Sequence, residues 1–282
     1  MRLFLRQFYW ELLKLFHRPR TYLGFAGFLA FEALLLVLLQ RDDARTLVQK
    51  HMARAGYTFA ANFTGPTVAQ YILDYTLTIL GALYLALVAG DIVSKEIEDG
   101  TMRMVLSSPT SRGRVFFLKL LTCAFYTGVL TTFVAVSALA LGLAVEGPGN
   151  LFIFHEVEGI AISYAFWDGM IVYFFGALPL LIVSMFTVTA VALMFSCLDV
   201  KPAAATVGAL GIFVGDNMLR SIPFFIKIRH WFITGRISAW AHIYDENVPW
   251  DYLTRSYLAL AAIDALAIGI GWWCFRQRDL KP

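Results

Sequence analysis

The sequence contains few charged residues. Asp, Glu, Lys and Arg make up 15% of its 282 residues, whereas soluble domains contain about 25%. Hydrophobic residues make up 59%, and the apolar runs extend along nearly the whole chain. No stretch has the composition of a soluble domain, which excludes a water-soluble globule and predicts a single membrane domain over residues 1–282.

Several chemical signatures are also missing. The three cysteines, Cys123, Cys197 and Cys274, lie in or beside apolar runs without metal-ligand spacing or a disulfide framework, so we interpret them as packing residues. The five histidines are scattered and form no H-E-x-x-H motif. A net charge of +3 gives a nucleic-acid partner little support. The sequence predicts neither an enzyme nor a metal site in this chain, because no nucleophile is paired with a base.

Six apolar segments approach the ~20 residues that a helix needs to cross a bilayer. They predict transmembrane helices near residues 21–39, 70–90, 120–145, 169–198, 202–221 and 256–275. The fifth has an uncharged stretch of only 14 residues, so it either spans the membrane or stops short and re-enters. Pro179 removes a backbone hydrogen bond from the fourth and predicts a kink there. The predicted fold is therefore all-α and integral to the membrane.

The first 20 residues have the pattern of an amphipathic helix that lies on the membrane surface. At 100° per residue, seven apolar side chains share one arc of about 140° that no charge enters. They are Phe4, Leu5, Phe8, Tyr9, Leu12, Leu15 and Phe16. Charged residues, including Glu11 and Lys14, project to the other side, as in interfacial helices. The alternative is a cytosolic helix docked on protein.

Six spans place both termini on the same side of the membrane. If that side is the cytoplasm, 14 Lys and Arg residues lie inside and nine outside, which agrees with the positive-inside rule. The outer loop 146–168 contains no Lys or Arg. Four outer cations, Arg41, Arg45, Lys50 and Arg54, oppose this orientation. On balance, the sequence predicts a multi-pass protein with both termini in the cytoplasm.

Four carboxylates lie within the predicted spans: Glu32, Asp74, Asp216 and Asp264. A charge at mid-depth in a bilayer costs at least ~2.5–3.5 kcal/mol on insertion scales, so each of them needs a reason. Glu32 lies near mid-span and either contributes to a substrate path or braces two helices. The three aspartates either line the same path or lie at the membrane interface.

Small residues occur at spacings that allow close contact between helices. Gly211 and Gly215 form a G-x-x-x-G in the fifth span, and Ala261, Ala265 and Gly269 recur every four residues in the sixth. These contacts are either within the chain or between two copies.

The loop 91–119 is charged, short and on the inner side in the predicted orientation. Its sequence predicts a break at Gly100, a stop at Pro109 and a helix capped by Ser111 that enters the third span. A small knob of apolar and charged side chains suits docking on a cytosolic protein better than it suits catalysis.

The sequence of this loop resembles the signature of the ABC-2 type permeases, which are membrane subunits of ATP-binding-cassette exporters. The matching residues are Glu96, Gly100, Thr101, Leu106, Ser108, Pro109, Ser111, Arg112 and Lys119. The resemblance extends to the basic amino-terminal helix, the six spans and the closing tail at 275–280. It implies a bacterial inner-membrane exporter subunit that works as a pair, with a second copy or a paralogue.

The resemblance also implies that the loop is a coupling element that inserts into a separate cytosolic ATPase subunit. The coupling residues would be Glu96, Gly100, Thr101, Leu106, Pro109, Ser111 and Arg112. The chain contains no G-x-x-x-x-G-K-[ST] motif, so ATP and Mg²⁺ would bind to the partner. The alternatives are an ion-coupled secondary carrier that uses the intramembrane carboxylates, and a membrane scaffold that moves an external partner.

Overall fold

The computed structural model describes residues 2–17, 19–54, 56–102, 110–155 and 160–278. This part of the chain has six helices that are long and apolar enough to cross a membrane. Spans one to six are Thr21–Leu39, Gly65–Glu98, Arg112–Glu146, Phe166–Cys197, Pro202–Ser221 and Trp250–Gln277. The predicted all-α class with six membrane helices is confirmed.

Several spans are longer than the sequence predicted. Spans two and three have 34 and 35 residues, because their helices continue past the apolar stretch into charged segments. The suggestion that the fifth segment stops short is wrong. Pro202–Ser221 is one continuous helix of 20 residues, with Pro202 in its first turn, where a proline has no helical hydrogen bond to lose.

Spans two and four each contain a wide π-helical turn. The first is Leu77–Gly81 and the second is Val172–Ala177. Pro179 follows the second turn directly. Because proline lacks an N–H and crowds the preceding turn, the wider turn accommodates it where the sequence predicted a kink.

Shorter helices and one hairpin occupy the connections. The helices are Arg2–Phe16 before span one, Asp42–Arg54 and Phe59–Asn62 before span two, and Pro223–Trp231, Ile233–Ile237 and Ser238–Tyr244 before span six. Strand β1 (Leu151–His155) pairs antiparallel with β2 (Ile160–Tyr164), with Ile153 opposite Ile162. The sequence analysis did not predict this hairpin, which is too short to give a clear alternating pattern.

Span four lies at the centre of the bundle and packs against spans two, three, five and six. Hydrogen bonds among polar side chains and backbone groups hold span four against spans two and three. The Thr127 and Thr189 hydroxyl oxygens are 2.7 Å apart between spans three and four. Ser196 Oγ accepts the backbone N–H groups of Val93 and Ser94, both at 3.0 Å, between spans four and two. Small polar residues stabilise helix pairs in this way where lipid supplies no hydrophobic driving force.

Spans two and three approach each other most closely at a pair of glycines. A Cβ atom on Gly142 would collide with the backbone carbonyl of Gly65. The Gly65 N–H also donates to the Gly147 carbonyl oxygen at 2.9 Å, beyond the end of span three. Only glycine allows backbones this close, so these two positions fix where the helices cross.

Candidate functional site

Four charged side chains meet at the end of the bundle where spans two and six end and span three begins. We call this end the terminal end, and the four residues, Glu11, Lys14, Glu96 and Lys119, the charge cluster. Lys119 Nζ donates to Glu11 Oε2 at 2.5 Å and to Glu96 Oε1 at 2.6 Å. Lys14 Nζ donates to Glu11 Oε1 at 2.9 Å. The cluster therefore joins the amino-terminal helix to spans two and three.

The centre of the charge cluster is buried. The Lys119 side chain is only 2% exposed and that of Glu96 7%. A buried charge is tolerated only when it is paired and hydrogen-bonded, and Lys119 meets that condition with two carboxylates. Burial alone would raise the pKa of Glu11, but attraction to Lys119 and Lys14 outweighs it and holds that pKa below its ordinary value of 4.5.

A tight turn follows Glu96 at the end of span two. Glu98 and Asp99 are exposed, and Gly100 has a φ of +73°, in the left-handed region that glycine enters without strain. The Thr101 hydroxyl donates to the Glu96 carbonyl oxygen at 3.1 Å, and the next side chain, Met102, is fully buried. Gly100 thus breaks the helix as predicted, and Thr101 and Met102 hold the turn against the bundle.

Span three begins with the predicted cap. Ser111 Oγ accepts the Arg114 backbone N–H at 3.3 Å. The Arg112 guanidinium reaches span six, where Nη1 donates to the carbonyl oxygens of Arg276 at 2.9 Å and Arg278 at 2.8 Å. Cations favour the carbonyl end of a helix for this reason.

Arg278 makes a similar connection to the end of span four. Its Nη1 donates to the Leu198 carbonyl oxygen at 2.7 Å, and its Nη2 to Asp199 Oδ1 at 2.9 Å. The ends of spans three, four and six are therefore tied together by two arginines.

The structure gives the predicted coupling residues different positions. Glu96, Thr101 and Arg112 make contacts within the chain, so their side chains hold the residues 98–102 and 110–112 against the bundle. The predicted contributors Leu106 and Pro109 lie outside the described residues. The sequence predicts no contact for Lys119, and the helical projection places Glu11 on a polar face away from the apolar arc. The missed signal was the placement of opposite charges on three different helices, which a one-helix projection does not relate to one another.

The intramembrane carboxylates have four different environments. Glu32 is fully buried, and its Oε1 accepts the Ser137 hydroxyl at 3.0 Å, while Oε2 has no partner among the described residues. Asp264 is 9% exposed on span six, near Thr187 of span four. Both positions suit a carboxyl that braces neighbouring helices.

Asp216 and Asp74 differ from those two. Asp216 caps the short helix Ile233–Ile237. Its carboxylate accepts the Ile233 N–H at 3.0 Å and the Thr234 N–H at 2.7 Å. Of the four carboxylates, Asp74 alone has an exposed side chain, so it is the one that a molecule outside this chain can reach.

Two glycines of span five, Gly211 and Gly215, make no close contact within the described chain. A Cβ atom on Gly211 or Gly215 would meet no atom of another element within 4 Å. The buried residues of this span, Ala205, Ala209 and Phe213, form a stripe on a different face. The glycine face is therefore open in a single copy of the chain.

Comparison with known proteins gives a consistent family assignment. The family model described as ABC-2 family transporter protein matches residues 8–198. The uncharacterized membrane protein YdbK of Bacillus subtilis (strain 168) is 27% identical over 216 residues, which cover 74% of this chain and 82% of YdbK. The uncharacterized protein YhcI of the same organism is 31% identical over 88 residues, which cover 31% of this chain and only 28% of YhcI. The family match includes the charge cluster and the segment that follows it.

Proposed function

The chain belongs to the ABC-2 transporter family, and from this premise we propose that it is the membrane subunit of an exporter driven by a separate ATPase. The observation that carries the proposal is the match over residues 8–198, which includes the turn after span two. The ATPase binds ATP and Mg²⁺, hydrolyses ATP on the cytosolic side and closes on the segment 98–112. This chain performs no hydrolysis itself.

The charge cluster supports this division of labour. A force on the exposed turn at Glu98 and Asp99 reaches Glu96 within one helical turn. From Glu96 it passes through Lys119 to span three and to the amino-terminal helix. A contact network built from buried charge pairs is stiff, because separating either pair leaves an unpaired charge in an apolar environment. The terminal end therefore moves as one piece when the ATPase closes.

A copurification experiment tests the coupling role. A tagged chain is isolated from solubilised membranes, and the bound ATPase is measured by mass spectrometry and by ATP hydrolysis. The double variant Glu98→Lys, Asp99→Lys is expected to reduce the amount of copurified ATPase about tenfold, because charge reversal at an interface disfavours docking. The matched control is Asp42→Lys with Asp43→Lys, an exposed acidic pair on the connection after span one. Equal ATPase recovery from both variants would refute the proposal.

The orientation follows from the same proposal. Both termini face the cytoplasm of a bacterium, and the hairpin and the helix Asp42–Arg54 lie outside the inner membrane. Arg45 was among the cations that opposed this orientation, but it pairs with Glu146 at 2.5 Å and lies over the Phe63 ring. Local pairing of this outer charge supports the orientation, which a reporter fused after Pro282 tests directly: activity only outside the cell would contradict it.

A second copy of the chain, or a paralogue, completes the transporter. Span five supports this step, because Val207, Gly211, Val214 and Met218 follow one face of the helix, and Val207 and Met218 are 67% and 66% exposed. Small and apolar residues at this spacing allow two helices to pack closely. Disulfide cross-linking of Val214→Cys between two copies tests the contact, with Leu266→Cys on span six as the control. Cross-linking at both positions or at neither would contradict it.

The substrate path runs past Asp74 in this proposal, while Glu32, Asp216 and Asp264 hold helices together. A water-soluble thiol reagent tests the difference. It is expected to modify Asp74→Cys but not Leu83→Cys, because Leu83 is an exposed apolar residue of the same span, as expected of a position that faces lipid. Protection of Asp74→Cys from the reagent would place it against lipid and remove it from the path.

A further inference from the structure

A cavity of about 230 Å³ lies between the amino-terminal helix and the beginning of span three. It shares Glu11 and Lys14 with the charge cluster, and Arg114 and Thr110 contribute from the start of span three. Neither the family match nor the coupling role assigns a function to this cavity. Its lining combines charged, polar and apolar groups in a small volume.

The charges around the cavity favour an anion. Both carboxylate oxygens of Glu11 are already held by lysines, at 2.9 Å by Lys14 and at 2.5 Å by Lys119. The Arg114 guanidinium lies 6.0 Å from the Phe4 ring centroid and donates no hydrogen bond to any described residue. Arg114 also lies in the first turn of span three, where the helix dipole is positive. A negative group beside Arg114 would be stabilised both by the charge of the guanidinium and by the positive end of the helix dipole.

The remaining lining suits a lipid better than a free ion. Val115 and Leu118 form an apolar wall and are each 5% exposed, and Trp10 at the rim is 53% exposed. Tryptophan in such a position is typical of the level of lipid headgroups. The Gln7 Oε1 atom is buried without a hydrogen-bond partner among the described residues, so it can accept a hydroxyl group.

We propose that this cavity binds the headgroup of an anionic phospholipid. The phosphate lies against Arg114 and Lys14, a headgroup hydroxyl donates to Gln7, and the glycerol end of the lipid meets Val115 and Leu118. A single bound lipid thereby fixes the amino-terminal helix on span three. The inference requires that the amino-terminal helix lies at the membrane surface, but it does not depend on the ATPase, so the two proposals fail independently.

Native mass spectrometry of the purified chain tests the site, with phosphatidylglycerol and phosphatidylcholine as probes. The unmodified chain is expected to retain phosphatidylglycerol in preference to phosphatidylcholine. Arg114→Gln is expected to lower that retention about fivefold, and Arg114→Lys to keep most of it, because one cation near a membrane surface contributes about that factor. The control is Lys201→Gln, an exposed cation in the turn between spans four and five, which is expected to change nothing.

A second variant covers the case in which Arg114→Gln fails to fold. Gln7→Leu is expected to weaken the binding of phosphatidylglycerol more than the binding of phosphatidic acid, because the headgroup of phosphatidic acid lacks the glycerol hydroxyls. Equal retention of the anionic and zwitterionic lipids, or equal losses in Arg114→Gln and Lys201→Gln, would overturn the proposal. Displacement of the lipid by millimolar inorganic phosphate would show a free-anion site and overturn the lipid assignment.

Discussion

Lys119 connects three helices at the terminal end. It is 2% exposed and binds carboxylates from two different helices, so its charge organises three elements at once. A buried ion pair is costly when either partner is lost, and the loss of Lys119 would remove a partner from two carboxylates at once. The charge cluster therefore fixes the relative positions of the amino-terminal helix and spans two and three.

Removing that charge tests its structural role. Lys119→Met removes the close cation partner of the buried Glu96 and one of the two that Glu11 has, and we expect the free energy of unfolding to fall by ~3–5 kcal/mol. Thermal unfolding in detergent measures this against Lys201→Met, a replacement of an exposed lysine that is expected to have little effect. A similar melting temperature for the two variants would show that Lys119 is not a structural centre.

The Glu11 carboxyl gives the terminal end a pH dependence. Its pKa is lowered in the folded chain, so its contribution is complete above the ordinary value of 4.5 and is lost as the pH falls through the lower folded value. We expect the hydrogen-exchange protection factors of Arg2–Phe16, which are corrected for the intrinsic exchange rate at each pH, to fall below pH 4.5. We expect Glu11→Gln to remove most of that pH dependence. A loss of protection that persists in Glu11→Gln would assign the effect to another group.

Among the elements, the spans were predictable and their contacts were not. The 30-residue uncharged run at 169–198 has no alternative to a membrane helix, and the structure has span four there. The same reasoning does not predict the hairpin formed by β1 and β2. Each strand has only five residues, and the surface against which the hairpin packs comes from distant segments of the chain. The position of Glu11 was missed for a related reason: its buried partner, Lys119, lies 108 residues away in the sequence.

The crossing of spans two and three makes a prediction about a single glycine. We expect Gly142→Ala to destabilise the bundle by ~1–3 kcal/mol, because its Cβ would overlap the Gly65 carbonyl. Gly128→Ala on the same span is the matched control, since the nearest atom to its Cβ would be 3.9 Å away. Thermal unfolding of the two variants compares them, and equal stability would show that the helices cross elsewhere.

At the scale of the whole molecule, the two ends of the bundle are built differently. The terminal end ties together span ends through Lys119, Arg112 and Arg278, with charged side chains donating to carboxylates and to helix carbonyls. The opposite end holds the hairpin by neutral hydrogen bonds, such as Tyr164 Oη to the Tyr244 carbonyl oxygen at 2.7 Å. The charged contacts that join span ends at the terminal end are consistent with the proposed docking of an ATPase there.

The most direct test of this account is photo-cross-linking in native membranes. A photoreactive amino acid at Asp99, in the exposed turn after span two, is expected to form an adduct with a P-loop ATPase, which mass spectrometry identifies. The same amino acid at Asp43, exposed on the connection between spans one and two, is expected to capture no ATPase. An ATPase adduct at Asp43, or none at Asp99 in an actively transporting membrane, would contradict the central claim that the force enters through this turn.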